Sequence, residues 1–206
     1  MLPSSHLPSF LLIMLTPIIR RSISFILLLA GLTGAVVAKD YQVTDQTIRW
    51  TGSTPVKFHT GLLTPKSSTI SINEDGSVEH LEVILDMDSI NVTDMGEGRM
   101  RNKLTGHLKN EDFFHVSAHP TAKFTMNRHE AGVLRGMLEI RGVRMDFGIP
   151  VEIKGDAMKG WSLVGSFTFD RQEFDVNYQA GGLLGAAKDK LISDDIKVDV
   201  SLQVAP

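Results

Sequence analysis

The chain has 206 residues, of which 42% are hydrophobic and 22% are charged, and its net charge is −3 at pH 7. This composition is that of one globular domain after a leader, and the acidic balance without a basic stripe excludes nucleic acid as a partner. The sequence contains no cysteine, which excludes disulfide bonds, thiolate metal sites, a cysteine nucleophile and a cysteine-linked lipid anchor.

Residues 1–38 are predicted to be a secretory signal peptide. An arginine pair at 20–21 precedes an apolar run over 23–32, and the small residue Ala38 fits a cleavage site. The basic pair normally lies near the start of such a signal, so Met14 is a candidate for the true initiator. The apolar run is shorter than the roughly 20 residues of a membrane span. We therefore expect an exported protein, with retention as an N-terminal membrane anchor as the weaker alternative.

Residues 39–206 are dominated by alternation of apolar and polar residues, which is typical of half-buried strands. The alternation is clearest in the last strand, where apolar residues recur at every second position from Ile196 to Val204. About eight strands and a single helix favour an all-β fold, an antiparallel sheet closed into a barrel or a sandwich. The predicted strands are 41–51, 56–63, 67–73, 80–87, 121–128, 133–141, 146–154, 161–169 and 196–204.

One short helix is predicted over residues 95–108, between the fourth and fifth of these strand regions. Met100, Leu104 and Leu108 recur at a spacing of four, so one apolar stripe can pack against the barrel end. Asp94 is the predicted N-cap. The glycine-rich stretch 179–188 is predicted to form a loop near a barrel mouth.

The order of several motifs resembles the YceI-like family. DMDSINVTDM (86–95), KLTGHLKNEDFF (103–114) and HPTAKF (119–124) follow one another, and LEIRGVRMDFGIPV (138–151), FTFDRQEFDVNY (167–178) and DKLISDDIKVDVSL (189–202) continue the match. WTGSTP and KFHTG within 50–61 are similar to a branch of the family that opens with a Trp-Thr-Gly strand. The resemblance covers roughly residues 41–204. It implies a periplasmic, lipocalin-like antiparallel barrel that holds a polyisoprenoid or other lipid.

The barrel interior is the predicted binding site. An eight-stranded barrel either fills with its own side chains or holds one small ligand, and composition alone favours the packed core, although Gly136 and Gly165 leave room. The family resemblance reverses this preference, because it implies an apolar tunnel for a polyprenyl tail. The predicted ligand contacts in the lumen are Leu81, Val83, Leu85, Phe124, Met126, Leu163, Phe167, Phe169, Val198 and Val200.

Polar candidates for the barrel mouth are His59, Asp88, Asn91 and Arg99. The alternative for Asp88 and Asn91 is turn formation at a strand end. An acid–base pair of Asp88 with Asp194 or Asp195 would make the barrel an enzyme pocket. No catalytic motif supports that alternative, so no enzyme activity, catalytic residue or cofactor is predicted.

His115 and His119 have the spacing of metal ligands on a helix, but Pro120 favours a turn into a strand, so no metal site is predicted. The predicted function is to sequester or carry an amphiphile with a long apolar tail, an isoprenoid quinone or a polyprenyl lipid. Transient membrane contact and a homodimer are the further partner predictions. The competing hypothesis is a ligand-free envelope stress or interaction module with a packed barrel.

Overall fold

The structure is a computed structural model, and it describes residues 38–180 and 192–206. The predicted signal peptide, Met14 and most of the 179–188 loop lie outside these residues. Within them, no helix is long and apolar enough to cross a membrane.

Eight antiparallel strands form a closed barrel. Each strand pairs with its neighbour in the chain, and β1 pairs with β8 to close the circle. The predicted all-β, lipocalin-like barrel with one helix is therefore confirmed. The strands are β1 (Lys39–Thr54), β2 (Lys57–Ile72), β3 (Val78–Val92), β4 (Thr121–Glu130), β5 (Val133–Ile140), β6 (Val143–Asp156), β7 (Gly160–Asp170) and β8 (Asp195–Ala205).

The predicted strands 56–63 and 67–73 are one continuous strand, β2. Its register against β3 shifts between Leu62 and Thr64 and again between Pro65 and Ser67. Pro65 has no backbone N–H, so it cannot donate to the ladder, and a local irregularity accommodates it. The backbone N–H of Thr64 instead donates to the hydroxyl of Ser89 at 2.7 Å. The alternation of apolar and polar residues is interrupted near Pro65, so the sequence predicted two strands, whereas the folded strand continues through the proline.

The helix α1 spans Arg99–Lys109 and starts later than the predicted residue 95. Its N-cap is Gly98, with φ at 144° and no side-chain cap, so the prediction of Asp94 as the N-cap is wrong. The carboxylate of Asp94 accepts the backbone N–H of Thr60 instead. Asp94 therefore contacts β2 and does not cap α1. Leu108 is buried, and Leu104 packs against the core beside it.

The two ends of the barrel differ. Helix α1, the turns at 55–56 and 141–142, and the described segments that follow β7 and precede β8 all lie at one end, which we call the mouth. At the opposite end Trp161 covers Gly76, where an added Cβ would lie 2.9 Å from the indole. The buried residues of this closed end include Tyr41, Ile70, Ile72, Val78, Trp161 and Val204.

Candidate ligand chamber

A cavity of about 840 Å³ occupies the barrel interior and reaches the mouth. All eight strands contribute inward side chains to its wall, and helix α1 contributes more at the mouth. The wall is mostly aliphatic and aromatic. Small-molecule sites have volumes of roughly 300–1,000 Å³, so the interior is a chamber of ligand size.

The two glycines expected to leave room in the lumen have another role. A Cβ on Gly136 would lie 2.2 Å from the backbone oxygen of Thr125, and one on Gly165 would lie 2.8 Å from that of Pro150. Neither glycine lines the chamber. Both permit neighbouring strands to approach closely as the sheet curves. Gly52 does line the chamber, and the nearest atom to an added Cβ there is Cδ1 of Ile196 at 3.4 Å.

Nine of the ten residues predicted for the lumen lie in the chamber wall. Met126 is the exception: it is buried, but it does not line the chamber. Along β4, Met126 is the next inward-facing residue after Phe124 in the direction of the closed end of the barrel. Side chains fill the interior there. The nine lining residues are Leu81, Val83, Leu85, Phe124, Leu163, Phe167, Phe169, Val198 and Val200.

Of the four residues predicted for the mouth, only His59 lines the chamber. Its Nδ1 lies 2.9 Å from Oδ2 of Asp94, whose Oδ1 accepts the N–H of Thr60 at 3.0 Å. Burial alone would raise the pKa of Asp94, but the hydrogen bonds from Thr60 and His59 outweigh it and lower the pKa below its usual value. The Asp94 carboxylate thereby joins the start of β2 to the segment that follows β3.

Asp88, Asn91 and Arg99 lie outside the chamber wall. Asp88 is exposed, and its carboxylate accepts a hydrogen bond from Nζ of Lys109 at 3.0 Å. Oδ1 of Asn91 accepts the backbone N–H of Leu62 at 3.3 Å. Arg99 begins α1 with its side chain in solvent. These contacts agree with the alternative given above for Asp88 and Asn91, which is a structural role at the end of a strand.

Several residues at the mouth were not predicted from the sequence. His107 of α1 lies between two aromatic rings, with ring centroids 4.4 Å from Tyr178 and 5.8 Å from Phe113. All three line the chamber, as does Trp50 of β1. Strand alternation cannot identify His107, Phe113 and Tyr178, because they lie on the helix and the loops.

The side chain of Arg171 joins the segment that follows β7 to the segment that precedes β8. It has no exposed area, and it donates to the carbonyl oxygens of Val176, Ser193 and Ile192. Burial lowers the pKa of Arg171 below its usual value, although the nearby carboxylate of Asp194 opposes this effect. The guanidinium thus holds the segment before β8 against the short 3₁₀ turn at Arg171–Phe174.

The acid–base alternative finds little support in this geometry. Asp194 is paired with Arg171 and Asp88 with Lys109, and neither carboxylate, nor that of Asp195, lines the chamber. Across residues 38–180 and 192–206, no group of three or more His, Asp or Glu side chains is placed to hold a metal ion.

The YceI-like domain family matches residues 38–204. The chain belongs to the YceI-like family. Solved structures share the fold of this YceI-like chain at low sequence identity. BcnA from Burkholderia cenocepacia superimposes with a TM-score of 0.61 and 17% identity, covering 78% of this chain and 96% of its own.

Two further structures have the same fold. A polyisoprenoid-binding domain from Saccharophagus degradans, implicated in plant cell wall breakdown, has a TM-score of 0.58 and 14% identity over 81% of this chain and 98% of its own. The YceI protein of Campylobacter jejuni has a TM-score of 0.55 and 21% identity over 82% of this chain and 85% of its own. Comparison with curated protein sequences gives no match.

Proposed function

We propose that this YceI-like protein is an exported carrier that sequesters an amphiphile with a long apolar tail, an isoprenoid quinone or a polyprenyl lipid. The observation that carries the proposal is an apolar chamber of about 840 Å³ with one end packed shut and the other open. Family membership and the polyisoprenoid-binding neighbour from Saccharophagus degradans support it. The tail lies in the chamber, and the head group stays at the mouth.

Burial of the tail supplies the binding free energy. Each methylene transferred from water to an apolar site contributes about 0.8 kcal/mol, so a few isoprene units suffice without polar recognition. Binding of this kind requires no cofactor and no catalytic residue. The nine predicted lumen residues that line the chamber are proposed as the ligand contacts, and among them Phe167 packs against Phe147 with ring centroids 5.3 Å apart.

A charged residue in the chamber wall tests the proposal. Phe167→Asp places a carboxylate among apolar side chains, so extracted lipid should fall at least tenfold. Val164→Asp is the matched control, because Val164 lies on the same strand but is exposed on the outer face. Organic extracts of both variants, purified as folded protein, are quantified against the wild type. Full lipid content in folded Phe167→Asp would contradict the proposal and favour the ligand-free module.

We further propose that the ligand enters while the mouth contacts a membrane. Val56 and Met100 line the mouth and are exposed, although both are apolar. Lys57 and Lys103 lie in the same rim, and their charges complement anionic lipid head groups. An apolar rim with flanking lysines fits a lipid surface better than open solvent.

Two methionines allow a matched test of membrane contact. Met100 is 63% exposed at the mouth, and Met158 is 85% exposed in the turn between β6 and β7 at the closed end. Met100→Ser should slow lipid transfer between anionic vesicles several-fold, and Met158→Ser should leave the rate unchanged. Equal rates for the two variants would exclude the mouth as the contact. The homodimer stays a prediction, and a native mass measurement of the purified chain tests it.

A further inference from the structure

The deepest residue that β1 contributes to the chamber wall is a glutamine. Trp50, Ile48 and Gln46 are successive inward residues of this strand, and all three line the chamber. Tyr41, farther toward the closed end, is buried and does not line it. Gln46 lies eight residues from Thr54 at the mouth end of β1. For strands tilted by roughly 40°, that separation is about 20 Å along the barrel axis. Gln46 therefore lies at the floor of the chamber.

The cross-strand neighbours of Gln46 at this depth are apolar. Leu202 of β8 lies opposite Gln46, and Leu163 of β7 lies opposite Leu202. Both leucines line the chamber. An amide at an inward position among such residues loses contact with water, and a polar group left unpaired there costs roughly 1–3 kcal/mol. The hydrogen bonds of the Gln46 side chain therefore determine what the floor can bind.

One hydrogen bond joins the Gln46 side chain to Ser68 of β2. The hydroxyl of Ser68 donates to Oε1 of Gln46 at 2.7 Å. The backbones of β1 and β2 pair as far as Tyr41 toward the closed end and from Ile48 toward the mouth, but not between these residues. The side-chain bond spans this break in the ladder. It uses the oxygen of the amide and leaves the NH₂ group.

The NH₂ group of Gln46 has no hydrogen-bond partner in the part of the chain that the structure describes. The side chain is only partly buried, and its Nε2 is not among the fully enclosed polar atoms that lack a partner, in contrast to Nε1 of Trp50. The floor of the chamber therefore has an accessible amide. A half-turn of that amide would donate to Ser68 and leave the oxygen accessible, so the floor can serve an acceptor or a donor.

We infer that Gln46 binds an uncharged oxygen at the far end of the ligand tail, such as a terminal hydroxyl or carbonyl group. This inference rests on the proposed function, and it deepens that function from any long apolar tail to a tail with one polar group at its buried end. A tail of hydrocarbon alone would cover the amide without pairing it. A hydroxyl group both donates and accepts, so it complements either orientation of the amide.

A charged group at the far end of the tail does not fit this floor. The charged residues of β1 and β2 that lie nearest in sequence to Gln46 and Ser68 are Asp45, Arg49 and Lys66, and all three are exposed. An ion beside Gln46 would lie among leucines without a counter-charge, which costs far more than burial of a hydroxyl group. Any charge on the ligand therefore belongs to the head group at the mouth.

Competition between fatty acids tests the inference with the full chain. Palmitic acid and ω-hydroxypalmitic acid share a carboxylate, whose charge keeps that end at the mouth, and they differ in a hydroxyl group at the far end. A third probe carries the hydroxyl group at the middle of the chain. Native mass spectrometry of each hydroxy acid mixed equally with palmitic acid gives the ratio of the two complexes. Because both ligands compete for the same folded protein, the ratio does not depend on how much of a variant has folded.

Two glutamine variants isolate the amide at the floor. Gln46→Leu deletes both polar atoms and keeps a side chain of similar volume. Gln203→Leu is the matched control, because Gln203 also pairs with a serine, Ser162 at 2.8 Å, but does not line the chamber. The ratio of ω-hydroxypalmitic acid to palmitic acid should be about fivefold to tenfold higher in the wild type than in Gln46→Leu. Gln203→Leu should keep the wild-type ratio. The ratio for the mid-chain isomer should be the same in the wild type and in Gln46→Leu.

The outcomes separate this inference from the proposal on which it rests. If Gln46→Leu keeps the wild-type ratio, the inference is overturned and the carrier function stands, because the amide then only bridges β1 and β2 or holds a water molecule. An equal fall in Gln203→Leu, or for the mid-chain isomer, also overturns it. If the wild type binds none of the probes, the carrier function itself fails. As a second readout, the side-chain amide NMR signals that Gln46→Leu removes should shift with ω-hydroxypalmitic acid more than with palmitic acid.

Discussion

Nη2 of Arg171 lies 3.2 Å from Oδ1 of Asp194, and the arginine has no exposed area whereas the aspartate side chain is one-third exposed. The guanidinium is held chiefly by backbone carbonyl groups, among them Val176 at 2.6 Å and Ser193 at 3.0 Å. One side chain therefore donates hydrogen bonds both to the segment that follows β7 and to the segment that precedes β8. Both segments lie at the mouth.

Arg171→Met should destabilise the fold by about 3 kcal/mol or more. The variant leaves carbonyl oxygens buried without donors, and each such group costs roughly 1–3 kcal/mol. Urea unfolding of the wild type and the variant measures the difference. Arg128→Met is the control, because the ion pair of Arg128 with Glu130 is exposed on both sides and should contribute at most about 1 kcal/mol. Similar losses in the two variants would show that Arg171 is not an anchor.

Gly61→Ala should destabilise the barrel by several kcal/mol. An added Cβ would lie 1.7 Å from the backbone oxygen of Asn91 and 2.6 Å from the ring of Trp50, so strand or indole must move. Gly96→Ala is the matched control, because no atom lies within 4 Å of a Cβ there. Thermal unfolding compares the two. A small and equal change in melting temperature would contradict the close approach of β2 to its neighbours.

Gly52→Leu should block the chamber with little effect on folding. An added Cβ at Gly52 meets only Cδ1 of Ile196, at 3.4 Å, and the rest of the side chain would extend into the mouth half of the chamber. Lipid content after purification should fall by more than fivefold, whereas the smaller Gly52→Ala should retain most of it. Full loading of Gly52→Leu would show that the ligand does not pass this position.

Asp94 should make stability depend on pH in the acid range. Its folded-state pKa is lowered below the ordinary value of 3.8, so the unfolded chain binds a proton more readily. The stabilisation is therefore present above about pH 4 and is lost as the pH falls through the folded-state pKa. Asp94→Asn should unfold more easily at pH 7 by about 1–2 kcal/mol, since it weakens hydrogen bonds to a charged group.

Unfolding measured from pH 7 down to pH 2 checks this expectation. The difference between the wild type and Asp94→Asn should shrink toward the acid end. Asp88→Asn serves as control, because it removes one negative charge from an exposed side chain. A difference that stayed constant with pH would mean that the Asp94 carboxylate is not the stabilising form.

The fold and the face of each strand were predictable, because a period of two determines which side chains point inward. That rule placed Phe124, Leu163 and Val198 in the interior, where they line the chamber. The period of two does not indicate how far along the barrel axis a side chain lies. For this reason Met126 was expected in the lumen, although it packs near the closed end. Ligand contact by these residues stays a prediction.

The mouth was harder to predict, because long-range contacts determine it. Asp94 has the local pattern of a helix cap, yet it binds β2 residues more than thirty positions earlier. The position of His107 in the chamber wall depends on its contacts with Phe113 and Tyr178, which only the folded chain brings to the helix. Gly136 was expected to leave room in the lumen, whereas in the folded sheet it lies where two neighbouring strands approach closely.

The most direct test of the account is native mass spectrometry of the full chain, expressed in a Gram-negative envelope and purified without detergent. We expect a stoichiometric adduct with the mass of a long-chain lipid, which organic extraction then identifies. The polypeptide mass should correspond to a chain that begins at Lys39. A bare polypeptide mass, unchanged after incubation with quinones and polyprenols, would contradict the carrier function and leave a ligand-free interaction module as the better account.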